Sequence, residues 1–273
     1  MYKLLACDMD GTLIGRDFIL NKLDIDALQA AGKSGIHLVL CSGRSYESLK
    51  FFAQEIGMIS PGNFLIGFNG CTVYDLGADK VLREEGLGMD AAIAALAAHK
   101  DSDIFAEPVV YKNSQDVLIL GDGEWSREYM KTSRVNAIVC KDQISALGEM
   151  GGGVSKIIFI GEYKNLQKLA AILEMRLGDS AIVVFSAEYL LEVMTSRTSK
   201  GAALGWLCQY LSIDLTQTIA IGDNFNDITM LNSAGLGVAV ANAVDDVKKI
   251  ADYVTTADCQ NGAVAEVIGK FIL

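Results

Sequence analysis

Apolar and polar positions alternate between two periods along this chain. KLLACD near the start is an almost unbroken apolar run, which suits a strand of a parallel sheet covered on both faces. LDIDALQAAGKSG places Leu23, Ala27, Leu28 and Ala31 on one helical stripe and closes on glycines. IHLVLCSGR predicts a second strand running into a glycine turn, SYESLKFFAQEIG a second helix, and NFLIGFNG a third strand. This βαβαβ order predicts an α/β fold with a doubly wound, parallel, Rossmann-like sheet. CTVYDLGADKVLREEG then reads as a hairpin.

From residue 84 to 188 the pattern changes. An alanine-rich helix (DAAIAALAAH), strand candidates DVLILG, SKIIFIGE and AIVVFSA, a helix NLQKLAAILEMRLG and a GGG loop at 151–153 predict an α+β insertion. Alternation resumes with helix SKGAALGWLCQYL, strand TIAIGD, helix FNDITMLNSAG, strand LGVAV and helix AVDDVKKIA; YVTT and NGAVAEVIGKFI finish the chain. The expected organisation is a discontinuous domain, 1–83 with 189–273, interrupted by a second domain at 84–188. No internal repeat or low-complexity tract breaks the pattern.

At 273 residues and 51% apolar composition the chain can bury a large core, and the net charge of −11 argues against a nucleic-acid or anionic-membrane partner. No apolar run reaches membrane-spanning length, and the amino terminus has no signal-peptide pattern. Six cysteines, at 7, 41, 71, 140, 208 and 259, are scattered without a C-x-x-C, so a reducing cytoplasm is the expected location. The two histidines, His37 and His99, have no partners suited to zinc or a Ser-His-Asp triad.

In an open α/β sheet, ligands bind beyond the carboxyl ends of the strands. The first strand delivers Asp8-Met9-Asp10-Gly11-Thr12 there, the second Ser42-Gly43-Arg44, the third Asn69-Gly70, and the late strand Gly222-Asp223-Asn224-Phe225-Asn226-Asp227; Lys200-Gly201 opens the helix after the insertion. Each piece alone has an ordinary explanation. The aspartate pair reads equally as a turn or helix cap, Ser-Gly-Arg as a tight turn, Lys200 as a surface lysine, and Asp227 as charge in a first helical turn. Together they bring four carboxylates to one edge, where two unit charges about 4 Å apart repel by roughly 4 kcal/mol at an effective dielectric near 20. A hard cation such as Mg²⁺ among Asp8, Asp10 and Asp223 relieves that repulsion. Lys200, Ser42 and the backbone amides around Gly11 and Gly43 are what a phosphoryl group requires.

DMDGTL, SGR, SKG and GDNFND, in this order, resemble the four motifs of the haloacid dehalogenase-like superfamily, and more narrowly its Cof-type sugar-phosphatase branch with a subclass IIB cap. FNG after the third strand and NA-x-x-x-V-K-x-x-A-D-Y-V-T near the end extend the resemblance along the chain. It implies a Mg²⁺-dependent phosphatase of small phosphorylated metabolites, expected to be a monomer or weak homodimer. Asp8 would be the nucleophile and Asp10 the acid and then the base. Mg²⁺ would sit on the Asp8 carboxylate, the Asp10 carbonyl and Asp223. The Met9 amide, Ser42, Gly43, Lys200 and Asn226 would bind phosphoryl oxygens, with Asp227, Gly11, Arg44 and Asn224 in support. The insertion would be the cap that closes over the leaving group, with Glu107, Tyr111, Lys112, Glu188 and Tyr189 as candidate contacts. Ser42 stands where threonine is frequent, and ADCQNG stands where the family often has an acidic residue before the glycine. A phosphomutase and a low-turnover phosphometabolite sensor are the alternatives. A dinucleotide-binding oxidoreductase fails because no G-x-G-x-x-G follows the first strand.

Overall fold

The computed structural model describes residues 1–15, 17–112, 116–121, 123–133 and 136–273. They divide into two compact units, Met1–Arg83 with Thr198–Leu273, and Glu84–Arg197.

The first unit opens with β1 (Leu4–Asp8), α1 (Lys22–Lys33), β2 (His37–Cys41), α2 (Tyr46–Ile56), β3 (Phe64–Gly67), β4 (Thr72–Asp75) and β5 (Lys80–Glu84). The second unit follows with α3 (Met89–Asp101), β6 (Glu107–Tyr111), β7 (Asp116–Leu120), α4 (Glu124–Ser133), β8 (Asn136–Cys140), α5 (Gln143–Met150), β9 (Lys156–Ile160), α6 (Tyr163–Leu177), β10 (Ala181–Ala187) and β11 (Leu190–Thr195). The chain then returns to the first unit with α7 (Lys200–Leu211), β12 (Thr218–Gly222), α8 (Ile228–Ser233), β13 (Leu236–Ala239), α9 (Asp245–Ile250), β14 (Tyr253–Val254) and α10 (Ala263–Phe271).

In the first unit the strand order is β14-β13-β12-β1-β2-β3-β4-β5. The strands from β14 to β3 run parallel, and β4 turns back antiparallel to β3. Every residue of β1 is buried, as a central strand covered on both faces requires. The α/β, doubly wound reading therefore holds. The chain moves from β1 outward to β2 and β3, then re-enters on the other side of β1 at β12. The crevice at the carboxyl ends of β1 and β12 is thus the point where strand order reverses, and ligands of such sheets bind there. The helices that feed this edge are capped by their own sequence. Ser45 accepts from the Ser48 amide at the start of α2, and Ser199 accepts from the Ala202 amide, which makes Lys200 the first residue of α7.

The second unit is a sheet in the order β10-β11-β9-β6-β7-β8, antiparallel except for the β7–β8 pair. Its core sets Leu96, Leu166, Leu169 and Leu173 of α3 and α6 with Val110, Leu118, Ile157, Phe159 and Val193 of the sheet.

Several elements differ from the sequence reading. β6, β8 and β11 are strands, and α4 and α5 helices, where no element was expected. Because β11 pairs with both β10 and β9, the second unit runs on to Arg197 rather than ending at 188. FNDITMLNSAG, expected as a single helix, is a 3₁₀ turn at Phe225–Asp227 followed by α8. No helix among the described residues is long and apolar enough to cross a membrane.

Candidate active site

Asp8 closes β1 with its side chain nearly buried, 4% exposed. Its Oδ1 accepts from Lys200 Nζ at 2.6 Å, and the same ammonium donates to Asp227 Oδ1 at 2.6 Å. Lys200 and Asp227 are completely buried. The other Asp227 oxygen, Oδ2, accepts from the backbone amides of Asp223 and Asn224 at 3.0 and 3.1 Å, so Asp227 folds the loop after β12 back onto itself. Gly222 is required beneath it, since a Cβ there would lie 2.5 Å from Asp227 Cβ. Thr12 donates its hydroxyl to Asp223 Oδ1 at 3.2 Å. Gly11 has a φ of +88°, and a Cβ on it would meet Asp223 Oδ2 at 2.4 Å, so this turn admits glycine on both counts.

Oxygens of Asp8, Asp223 and Asp227 lie within 4.8 Å of one another. Three carboxylates are therefore crowded together, and one buried ammonium bonds to two of them, Asp8 and Asp227. Burial pushes the Asp8 carboxyl well above the usual carboxylate range, the Asp227 charge adds to this, and Lys200 opposes it. Asp223 is pushed up to about 6, first by burial and then by Asp227, against the hydrogen bond from Thr12. For Lys200 burial pulls downward, but Asp8 and Asp227 outweigh it and the net shift is upward, so the ammonium stays charged. The cluster thus carries excess negative charge and offers only oxygen donors, which fits a hard divalent cation. Asp227 is already committed to Lys200 and two amides; Asp8 and Asp223 have the freer oxygens.

A second group comes from β2, β3 and the loop after β12. Ser42 is buried, its hydroxyl accepts from the Arg44 amide at 3.2 Å, and its carbonyl accepts from the Asn69 amide at 3.0 Å. A Cβ on Gly43 would sit 3.2 Å from the Asn69 side chain, and Asn226 donates to Asn69 Oδ1 at 3.0 Å. Asn69 itself is left-handed, with φ 55°. Met9 is buried, and its carbonyl ties the turn by accepting from the amides of Thr12, Leu13 and Ile14. Asn224 uses its side chain to accept from the Phe225 amide at 2.8 Å.

Asp10 does not join the acid cluster. Its carboxylate pairs with Arg44 instead, at 2.5 and 2.7 Å. Among the second unit's candidates, Glu107 accepts from the amides of Glu124, Trp125 and Ser126 and from the Ser126 hydroxyl, which makes it the cap of α4. Tyr111 is buried, with its hydroxyl 3.1 Å from that of Tyr129, and Lys112 reaches the Met150 carbonyl at 3.4 Å. Glu188 and Tyr189 form the exposed turn between β10 and β11. Asn242, given no role from sequence, donates to the Gly11 carbonyl at 2.7 Å and accepts from the Cys259 amide at 2.9 Å. It follows β13, as the motif residues follow their strands, and it opens the NA-x-x-x-V-K stretch that extends the family resemblance.

Residues 5–268 match the family model of haloacid dehalogenase-like hydrolases. The chain is 29% identical over 279 residues to the putative phosphatase YxeH of Bacillus subtilis, covering all of this chain and 99% of that one. It is 31% identical over 277 residues to the HMP-PP phosphatase of Klebsiella pneumoniae, covering all of this chain and 96% of the relative. A crystal structure of a haloacid dehalogenase-like hydrolase from Bacteroides thetaiotaomicron superposes at a TM-score of 0.86 with 26% identity, covering 98% of this chain and 99% of the other.

Proposed function

Because this chain belongs to the haloacid dehalogenase-like hydrolase family, we propose that it is a Mg²⁺-dependent phosphatase of small phosphate monoesters, of the Cof type, acting through an aspartyl-phosphate. Sugar phosphates are the expected substrate class. The observation that carries the reading is the buried Asp8–Lys200–Asp227 triad beside Asp223, at the carboxyl edge where strand order reverses. A pure binding protein has no need of a nucleophile beside an acid and base, the roles this reading gives Asp8 and Asp10.

In this mechanism an Asp8 oxygen attacks phosphorus and forms the O–P bond of the acyl phosphate. The ester P–O bond breaks, and the departing oxygen takes a proton from Asp10. Water then attacks phosphorus, Asp10 accepts its proton, and the Asp8–phosphate bond breaks, restoring the carboxylate. Dividing the displacement in two lowers each barrier. Asp8, the Asp10 carbonyl and Asp223 would hold the Mg²⁺, which supplies charge neutralisation for the phosphoryl oxygens. Ser42, Gly43, Asn226 and the Met9 amide surround the phosphoryl group, and Lys200 orients Asp8 while countering its charge.

Phosphate release from 4-nitrophenyl phosphate, with Mg²⁺ or with excess EDTA, tests this on wild type and Asp8→Asn. Metal-dependent release that disappears in the variant is expected, and sugar phosphates and HMP-PP then form the substrate panel. Inertness of well-folded wild type towards all of them would overturn the reading.

A further inference from the structure

Both Asp10 oxygens accept from Arg44, Oδ1 from Nη2 at 2.5 Å and Oδ2 from Nε at 2.7 Å. Arg44 is itself gripped. Nη1 donates to Ser48 Oγ at 3.1 Å, and the guanidinium carbon lies 5.2 Å from the centre of the Phe18 ring and 5.4 Å from that of Phe52. Ser48 and Phe52 belong to helix α2, but Phe18 reaches in from the loop after β1. Its φ is +58°, a left-handed conformation that strains a bulky residue. Its side chain is also 59% exposed. An aromatic residue that is both strained and wet has little reason to be there for packing, whereas its face on a guanidinium gives it one.

We propose that Arg44, clamped by Phe18, Phe52 and Ser48, is the positioning residue for the Asp10 carboxyl. The inference rests on the phosphatase reading and deepens it. A guanidinium fork can keep one Asp10 oxygen while the other handles the proton, giving it to the ester oxygen in the first step and taking one from water in the second. The acid then pivots about a fixed point instead of sampling solvent, in which its side chain is 47% exposed. Phe18 touches no reacting atom and acts through Arg44.

The test compares kcat/KM, which reports formation of the aspartyl-phosphate, for 4-nitrophenyl phosphate and phenyl phosphate. Nitrophenolate departs without a proton, but phenol needs one. Arg44→Met is expected to lose about 30-fold on phenyl phosphate and less than about 3-fold on 4-nitrophenyl phosphate, short of the roughly 10²–10⁴-fold a general acid contributes because the acid is displaced rather than removed. Arg44→Lys, lacking the fork, does not restore the difference. Phe18→Ala, at an exposed position where folding is not at stake, shows the same selectivity with a loss of about 3- to 5-fold on phenyl phosphate, as a partial loss of positioning would give. Equal losses on both substrates, or none, in Phe18→Ala and in whichever Arg44 variants fold, overturn the proposal and leave the phosphatase reading standing. Wild type that hydrolyses neither ester overturns both.

Discussion

Lys200 is the one cation between two buried carboxylates, and its removal leaves both uncompensated. Lys200→Met is therefore expected to lose about 3–5 kcal/mol of stability, read by urea denaturation, together with activity. Asp8→Asn should do the reverse for stability. It keeps the shape and removes one of three crowded negative charges, so its thermal midpoint in EDTA should equal or exceed that of wild type while turnover vanishes. Asp8, Asp223 and Asp227 were legible because each ends or follows a buried strand, where a charged group calls for a partner, and Lys200 because it opens the helix after the insertion. The Asp10–Arg44 pair was not legible, since nothing in DMDG or SGR says which neighbouring acid an arginine will take. Phe18, and the contacts of Asn242, were hidden for a related reason: a ring on a guanidinium and an amide bridging two loops exist only once distant segments meet.

The start of α10 shows an element held by another. Its cap position is Gly262, which offers no side chain, and Asp24 of α1 supplies the acceptor instead, with Oδ1 2.7 Å from the Ala265 amide. Asp24 is fully buried, and its Oδ2 makes no close hydrogen bond among the described residues. Burial pushes its carboxyl up from 3.8 to about 6, against the amides of Ala265 and Val264. The folded protein therefore holds this proton after the unfolded chain has released its own. The stabilising contribution of the protonated form is complete below about pH 4 and is lost as pH rises through 6. In EDTA, Asp24→Asn should flatten the fall in unfolding free energy between those limits, leaving the part due to Asp8 and Asp223, whereas Asp24→Ala should cost about 1–2 kcal/mol as a lost cap. The alternating core elements were readable from their apolar runs. EPVVY, NAIVC and LLEVMT were not, and each has its own disguise. Pro108 breaks the first run, and β8 is a half-exposed edge. In the third, Glu192 sits buried against Lys156 at 2.9 Å, a charge inside a strand that only its partner explains.

At the scale of the whole molecule, the second unit pairs all its strands internally and builds its core from residues between Leu87 and Val193. A fragment of residues 84–197 is expected to fold alone and melt cooperatively by circular dichroism, whereas 1–83 alone, with β1 stripped of β12, is not. That two-part organisation was legible as a change of rhythm near residue 84, but the return point was not, because β11 went unseen. The split of the first unit also sets a timetable. Leu4 pairs with Thr218, and Asp8 waits for Lys200 and Asp227. At 5–20 residues per second a ribosome takes roughly 10 to 40 s to make the chain between β1 and β12. For that interval β1, which is buried along its whole length in the finished fold, has one edge open. The inserted unit can fold meanwhile. The Asp8–Lys200–Asp227 cluster is assembled only when translation is nearly finished, so on the proposed mechanism no unfinished chain is an active one.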